Sequence, residues 1–174
     1  VSQAKRFVVI GPECTGKSTL SQGLARAFNT IWVPEYARGY IDALRRPYNE
    51  SDLLSIADGQ LRVEDEAAAK ITGPLIIDTD LYVLKVWSES AYGRCDRRIL
   101  QAIATRRCDG YLLTGIDMPW SYDPQREHPA PEERRYFYEQ YRDIVQNSGV
   151  PWIPINGSED ERLEKAVDFV KRVS

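Results

Sequence analysis

The sequence is short of the residues that build metal and redox centres. Its 174 residues include one histidine (His128), one methionine (Met118) and three cysteines (Cys14, Cys95 and Cys108). The cysteines are far apart and lack CxxC spacing, so neither a disulfide framework nor a zinc site is expected. A single histidine excludes His-rich metal centres and nucleotidyltransferase motifs that need two nearby histidines. Positive charge is not in excess: 23 Lys and Arg face 26 Asp and Glu, a formal charge of −3. That balance argues against a basic face for nucleic acid, though not against a local basic pocket. Long apolar runs are missing too. Phe7-Val8-Val9-Ile10 and Leu75-Ile76-Ile77 fall far short of the roughly 20 residues a membrane span requires. Lys5 and Arg6 lead into an apolar run that stops at Gly11, which does not read as a signal peptide, and the cytoplasm is the expected compartment.

What is present is ordinary for a globular domain. Hydrophobic residues at 43% and charged residues at 28% exclude disorder along the whole chain. The length fits one domain, residues 1–174, whose core needs no disulfide or structural metal. Short apolar runs alternate with amphipathic stretches, the pattern of an α/β fold with a parallel sheet. Five strands are expected, at 7–10, 31–33, 75–77, 111–113 and 152–155. Between them, 17–28, 52–70, 81–91, 96–107 and 131–146 read as helices. Ser158 and Glu161 form a capping-box pattern for a last helix. Residues 118–135 interrupt the rhythm with Pro119, Pro124, Pro129 and Pro131 and read as a mobile lid.

The strongest chemical signal is Gly11-Pro12-Glu13-Cys14-Thr15-Gly16-Lys17-Ser18, with Thr19 following. It fits G-x-x-x-x-G-K-[ST] and lies between an apolar strand and an amphipathic helix, the context that gives the motif meaning. Glycines let successive N–H groups face phosphate oxygens, and the helix start adds its positive dipole end. Lys17 would reach the β and γ phosphates, and the Ser18 hydroxyl would complete a Mg²⁺ shell. Cys14 reads either as a reactive thiol beside a helix start or as a loop residue used through its backbone.

No asparagine precedes a lysine, so the N-K-x-D motif of guanine-binding switches is absent. The third strand ends in Asp78-Thr79-Asp80, without the Asp-Glu pair of large ring-forming ATPases. A small-molecule kinase fits better. Asp78 takes the Mg²⁺-holding position at a strand end. Glu35, after the second strand, emerges at the carboxyl edge where ligands bind. It would accept or orient a hydroxyl proton, or it would cap a helix. Arg38 would bind substrate or steady Glu35. Asp80 would bond ribose hydroxyls or cap the next helix. Arg126 is the lid arginine best placed in the sequence to meet a transferring phosphoryl group, whereas Arg134 and Arg135 read equally as helix surface and His128 as an exposed loop residue. Tyr36, Tyr40, Trp87, Trp120 and Tyr122 offer flat surfaces for an aromatic ligand, with core packing the alternative for Trp87.

Taken together, Gly11–Thr19, Glu35-Tyr36-Ala37-Arg38, Ile76–Asp80 and Asp117-Met118-Pro119-Trp120…Asp123-Pro124-Gln125-Arg126 resemble the nicotinamide riboside kinase domain of NadR-type proteins, in matching order over nearly the whole chain. The resemblance implies a P-loop kinase with a five-stranded parallel sheet. It implies ATP and Mg²⁺ as cofactors and a nucleoside as the small-molecule partner, phosphorylated on its ribose 5′-hydroxyl. Tyr or Trp side chains would sandwich the nicotinamide ring, and Asn156-Gly157-Ser158 would lie near adenine. The DNA-binding and adenylyltransferase domains of full-length members have no counterpart here, so neither activity is carried over.

Overall fold

The computed structural model describes residues 3–174; Val1 and Ser2 of the expected domain lie outside the described residues. Five strands form one sheet: β1 (Ala4–Ile10), β2 (Trp32–Val33), β3 (Gly73–Asp78), β4 (Gly110–Thr114) and β5 (Trp152–Ile155). Their order is β2-β3-β1-β4-β5, and every pairing is parallel. The first strand therefore lies at the centre, and the chain reverses its winding direction beside it. Such a switch point opens a crevice at the carboxyl ends of the strands.

The apolar runs are explained by burial on both faces. Side chains alternate along β1. Phe7 and Val9 pack with Leu20, Leu24, Phe169 and Val170 on one side. Val8 and Ile10 pack with Val86, Tyr141 and Val145 on the other. The first face is covered by α1 (Lys17–Ala27) and α7 (Glu159–Val173), the second by α3 (Glu50–Ala68), α4 (Leu81–Tyr92) and α6 (Pro131–Asn147). A third cluster joins α2 (Tyr36–Ala43) and α5 (Arg97–Thr105) to α3 and α4 through Ala37, Leu53, Ile56, Leu84 and Ile99.

Seven helices are present among the described residues. Asp96 caps α5, and Ser158 with Glu161 forms the expected capping box of α7. Helix α2 enters the sequence reading only through the capping alternative for Glu35. The segment expected as a lid, 118–135, is shorter than the sequence pattern implied. Irregular chain runs from 115 to 130, and 131–135 already belong to α6. Pro131 at the first helical turn, with Glu132 and Glu133 behind it, favours helix there.

Candidate active site

The phosphate-binding loop hangs between β1 and α1. Gly11 has φ 156°, and a Cβ there would overlap the Thr114 side chain, so the close approach of β1 to the end of β4 requires glycine. Gly16 caps α1 in the left-handed region at φ 75°, leaving the amino end of the helix free of any capping side chain. Thr15 is buried, and its hydroxyl bonds the Pro12 carbonyl at 2.8 Å and Thr114 at 2.7 Å. Its side chain thus shapes the loop, while its carbonyl accepts from Arg162 at 2.7 Å. The Lys17 ammonium donates to the Pro12 carbonyl at 2.7 Å.

The loop forms one wall of a cavity of about 500 Å³. Glu35, Arg38, Ile41, Tyr48, Trp87 and lid residues 124–128 also line it. Asp78 is buried beneath the loop and accepts a 2.6 Å hydrogen bond from Ser18 Oγ. Burial raises the Asp78 carboxyl from its ordinary value, with Lys17 and Ser18 opposing. Burial also raises Glu35, with Lys17 pulling it down and Asp78 pushing it up. Glu35 occupies the N-cap position of α2 yet makes no side-chain cap bond. Glu35 thus takes the capping position of the alternative reading without a cap hydrogen bond, and it also lines the cavity.

Thus Lys17, Glu35, Arg38, Trp87 and Arg126 line one space with Gly11, Glu13, Cys14, Thr15, Gly16, Ser18 and Thr19. Six expected site residues do not line it: Asp78, which is bonded to Ser18, and five others. Asp80 caps α4 by accepting the Tyr82 N–H at 3.0 Å, and it also accepts the Tyr111 hydroxyl. Tyr36 lies against α3, its N–H given to Gln60 Oε1. Tyr40 gives its hydroxyl to Asp52 at 2.9 Å. Trp120 lies under the guanidinium groups of Arg126 and Arg134, each 5.9 Å from the ring centre. Gly157 donates its N–H to Asp117 at 2.7 Å.

Other residues enter that sequence reading passed over. Tyr48 lines the cavity, accepts the Trp87 indole N–H at 3.0 Å and meets its ring edge-to-face. His128, expected as an exposed loop residue, is instead part-buried, lines the cavity and packs on Phe137. The lid is strapped to the loop from both sides. Glu13 Oε2 accepts the backbone N–H groups of Glu127 and His128 at 3.0 and 3.1 Å. Cys14 Sγ accepts the Ser121 N–H at 3.2 Å, so this thiol serves as a strap contact. Arg134 donates to the carbonyls of Cys14 and Met118. Behind the loop, buried Arg162 bonds the carbonyls of Thr15, Gly115 and Gly157 and pairs with Asp117.

The chain is 26% identical to the trifunctional NAD biosynthesis/regulator protein NadR of Escherichia coli strain K12, over 97% of this chain and 42% of that protein. It therefore spans less than half the length of that curated relative. A crystal structure of a NadR protein in complex with NR superposes with a TM-score of 0.76 at 23% identity, covering 98% of this chain and 51% of that one. A thymidylate kinase from Candida albicans superposes with a TM-score of 0.67 at 10% identity, over 100% of this chain and 95% of its own. The architecture is thus that of P-loop kinases, at a size close to this chain's. The model of the AAA domain family AAA_28 matches residues 6–162, and the chain belongs to that family.

Proposed function

We propose that this chain is an ATP- and Mg²⁺-dependent kinase that phosphorylates the ribose 5′-hydroxyl of nicotinamide riboside, giving nicotinamide mononucleotide. The observation that carries the reading is that Lys17, Ser18 and Glu35 line one cavity with Arg126 of the lid, while buried Asp78 is hydrogen-bonded to Ser18. The relative over nearly the whole chain is named for NAD biosynthesis, and we take the NR of the solved NadR structure as nicotinamide riboside. The reading treats residues 1–174 as one kinase domain, with residues 115–130 as its lid. It places the reaction in the cytoplasm, with no nucleic-acid or membrane partner; no described helix is long and apolar enough to cross a membrane.

The donor set fits a hard divalent cation. A hydroxyl and a carboxylate 2.6 Å apart are the oxygen ligands Mg²⁺ takes, directly or through water. Bound with ATP, the metal neutralises charge on the phosphates. Lys17 places a point charge at the same phosphates. Glu35 accepts or orients the proton of the attacking hydroxyl, and its raised carboxyl is a better base than an exposed one. Arg126 closes over the transferred group, and Arg38, paired with Asp123 at 2.9 Å, ties the Glu35 helix to the lid. Catalysis here is positioning and electrostatics.

The likeness to thymidylate kinase favours one other acceptor, a nucleotide. Such an acceptor needs arginines for its own phosphate; of the candidates Arg38, Arg45 and Arg46, the first and last are already paired with Asp123 and Asp52. That pairing supports a nucleoside with no phosphate of its own. A panel of nicotinamide riboside, other nucleosides and nucleoside monophosphates, each with ATP and Mg²⁺, tests the choice. Preferred turnover of a monophosphate overturns it.

A further inference from the structure

We propose that Gln60 is a positioning residue for phosphoryl transfer: with Gly59 it forms a seat on α3 that fixes Glu35 relative to Asp78. The proposal rests on the kinase reading above. Glu35 and Asp78 come from the ends of two different strands, β2 and β3, and neither strand end fixes the distance between them alone. Strand β2 has only two residues, paired with β3 at Trp32 and Val33, so the chain beyond it must be held by something else.

Gln60 supplies that hold. It is 4% exposed, in the middle of α3. Its Oε1 accepts the Tyr36 N–H at 3.0 Å, and its Nε2 donates to the Thr79 carbonyl at 3.3 Å and to Glu64 Oε1 at 2.8 Å. One amide therefore joins the residue after Glu35 to the residue after Asp78. Its orientation follows from its partners. A backbone N–H can only donate and a backbone carbonyl can only accept, so one side of position 60 must accept while the other donates. An amide does both; leucine does neither, and an ionised glutamate cannot donate.

Two further observations point to the same seat. A Cβ at Gly59 would overlap the ring of Tyr36, so the glycine makes room for the ring while its neighbour takes the amide. Thr79 has φ 75°, a conformation that β-branched residues avoid and that persists only where its surroundings hold it. Its N–H is held by the Val9 carbonyl at 3.0 Å and its carbonyl by Gln60. The charged groups gathered around the amide are Glu64 on its own helix, Asp80 at the start of α4, Asp78 at the end of β3, and Arg106 and Arg6, which face Glu64.

Gln60→Leu and Gln60→Glu are compared with wild type in the assay with ATP, Mg²⁺ and nicotinamide riboside. Displacing the base by a fraction of an ångström to an ångström costs up to about 100-fold in rate. The expected result for Gln60→Leu is therefore a kcat roughly 100-fold lower, with KM for ATP changed by less than about 3-fold. Gln60→Glu should show the same loss at high pH but recover relative to wild type as pH falls. A protonated glutamate again donates to one side and accepts from the other. Amide exchange read by NMR gives an arm independent of turnover: Tyr36 should exchange faster in Gln60→Leu while Leu112, in the central sheet, keeps its protection. Wild-type kcat in Gln60→Leu, a Gln60→Glu deficit that ignores pH, or unchanged Tyr36 exchange would each overturn the proposal. If Gln60→Leu does not fold, shown by lost Leu112 protection, the pH recovery of Gln60→Glu decides. If wild type forms no nicotinamide mononucleotide, the kinase reading fails along with the catalytic consequence, and the exchange arm still decides whether the seat exists.

Discussion

Ser18 Oγ donates a 2.6 Å hydrogen bond to Asp78 Oδ2, joining the first turn of α1 to the end of β3. Two positions 60 residues apart thus offer their oxygens to one point beside Lys17. Replacing Asp78 with Asn keeps the shape and a partner for Ser18 but removes the charge. Turnover should fall by about 10- to 100-fold, the usual cost of losing a residue that orients or supports a metal. The Mg²⁺ concentration needed for half-maximal rate should rise. A magnesium titration of the initial rate checks both.

Glu35 is the second acid, and its charge state sets a pH limb. Burial, reinforced by Asp78 and Glu13 and opposed by Lys17 and Arg38, raises its carboxyl above the ordinary 4.5. A base must be ionised to accept a proton, so kcat should fall on acidification at a higher pH than an exposed glutamate would give. Glu35→Gln should lower kcat by roughly 100- to 10,000-fold and remove this limb, while ATP affinity changes little. The pH profile of kcat for both proteins makes the comparison.

Asp80 concerns stability instead. Burial first, then Glu64, pushes its carboxyl up to about 7 from an ordinary 3.8. The folded state therefore binds this proton more tightly than the unfolded chain does. The resulting stabilisation is complete below the ordinary value and is lost as pH rises through about 7. Asn at 80 still caps α4 and does not titrate. Denaturant melts at several pH values should show wild type losing ground to Asp80→Asn as pH rises through neutrality, with little difference between their kcat values.

Arg162 is 3% exposed and gathers the carbonyls of Thr15, Gly115 and Gly157. Leucine at this position leaves those acceptors without a donor and Asp117 without its pair. The expected loss is on the order of 3 kcal/mol in unfolding free energy, read as a lower denaturant midpoint.

The legible parts of the molecule are those whose physics is local. The central strands β1, β3 and β4 are visible because a strand buried on both faces reads as a continuous apolar run, and the phosphate loop is visible because its parts are contiguous. Glu35 and Asp80 show where locality stops. Each is an acid just after a strand and just before a helix, so the sequence offers both the same two roles. The coordinates separate them: Asp80 accepts the Tyr82 N–H, and Glu35 accepts no cap bond. Helix α2 is legible only through the capping alternative for Glu35, because at eight residues with Gly39 inside it it is too short for a periodic pattern. Tyr36, Tyr40 and Trp120 read as ligand surfaces by type; the Tyr36 ring packs against Gly59, the Tyr40 hydroxyl is given to Asp52, and two arginines lie over Trp120. Arg162 gave no signal at all, because its contact with the Thr15 carbonyl spans 147 positions and carbonyls carry no sequence identity.

The most direct test of the account is a ³¹P NMR time course of the purified chain with ATP, Mg²⁺ and nicotinamide riboside. The account requires ADP and a 5′-phosphomonoester of the nucleoside to appear in equal amounts, with both abolished in Lys17→Ala. ADP released at the same rate without the nucleoside, or an unphosphorylated nucleoside beside rapid transfer to a different acceptor, would contradict it.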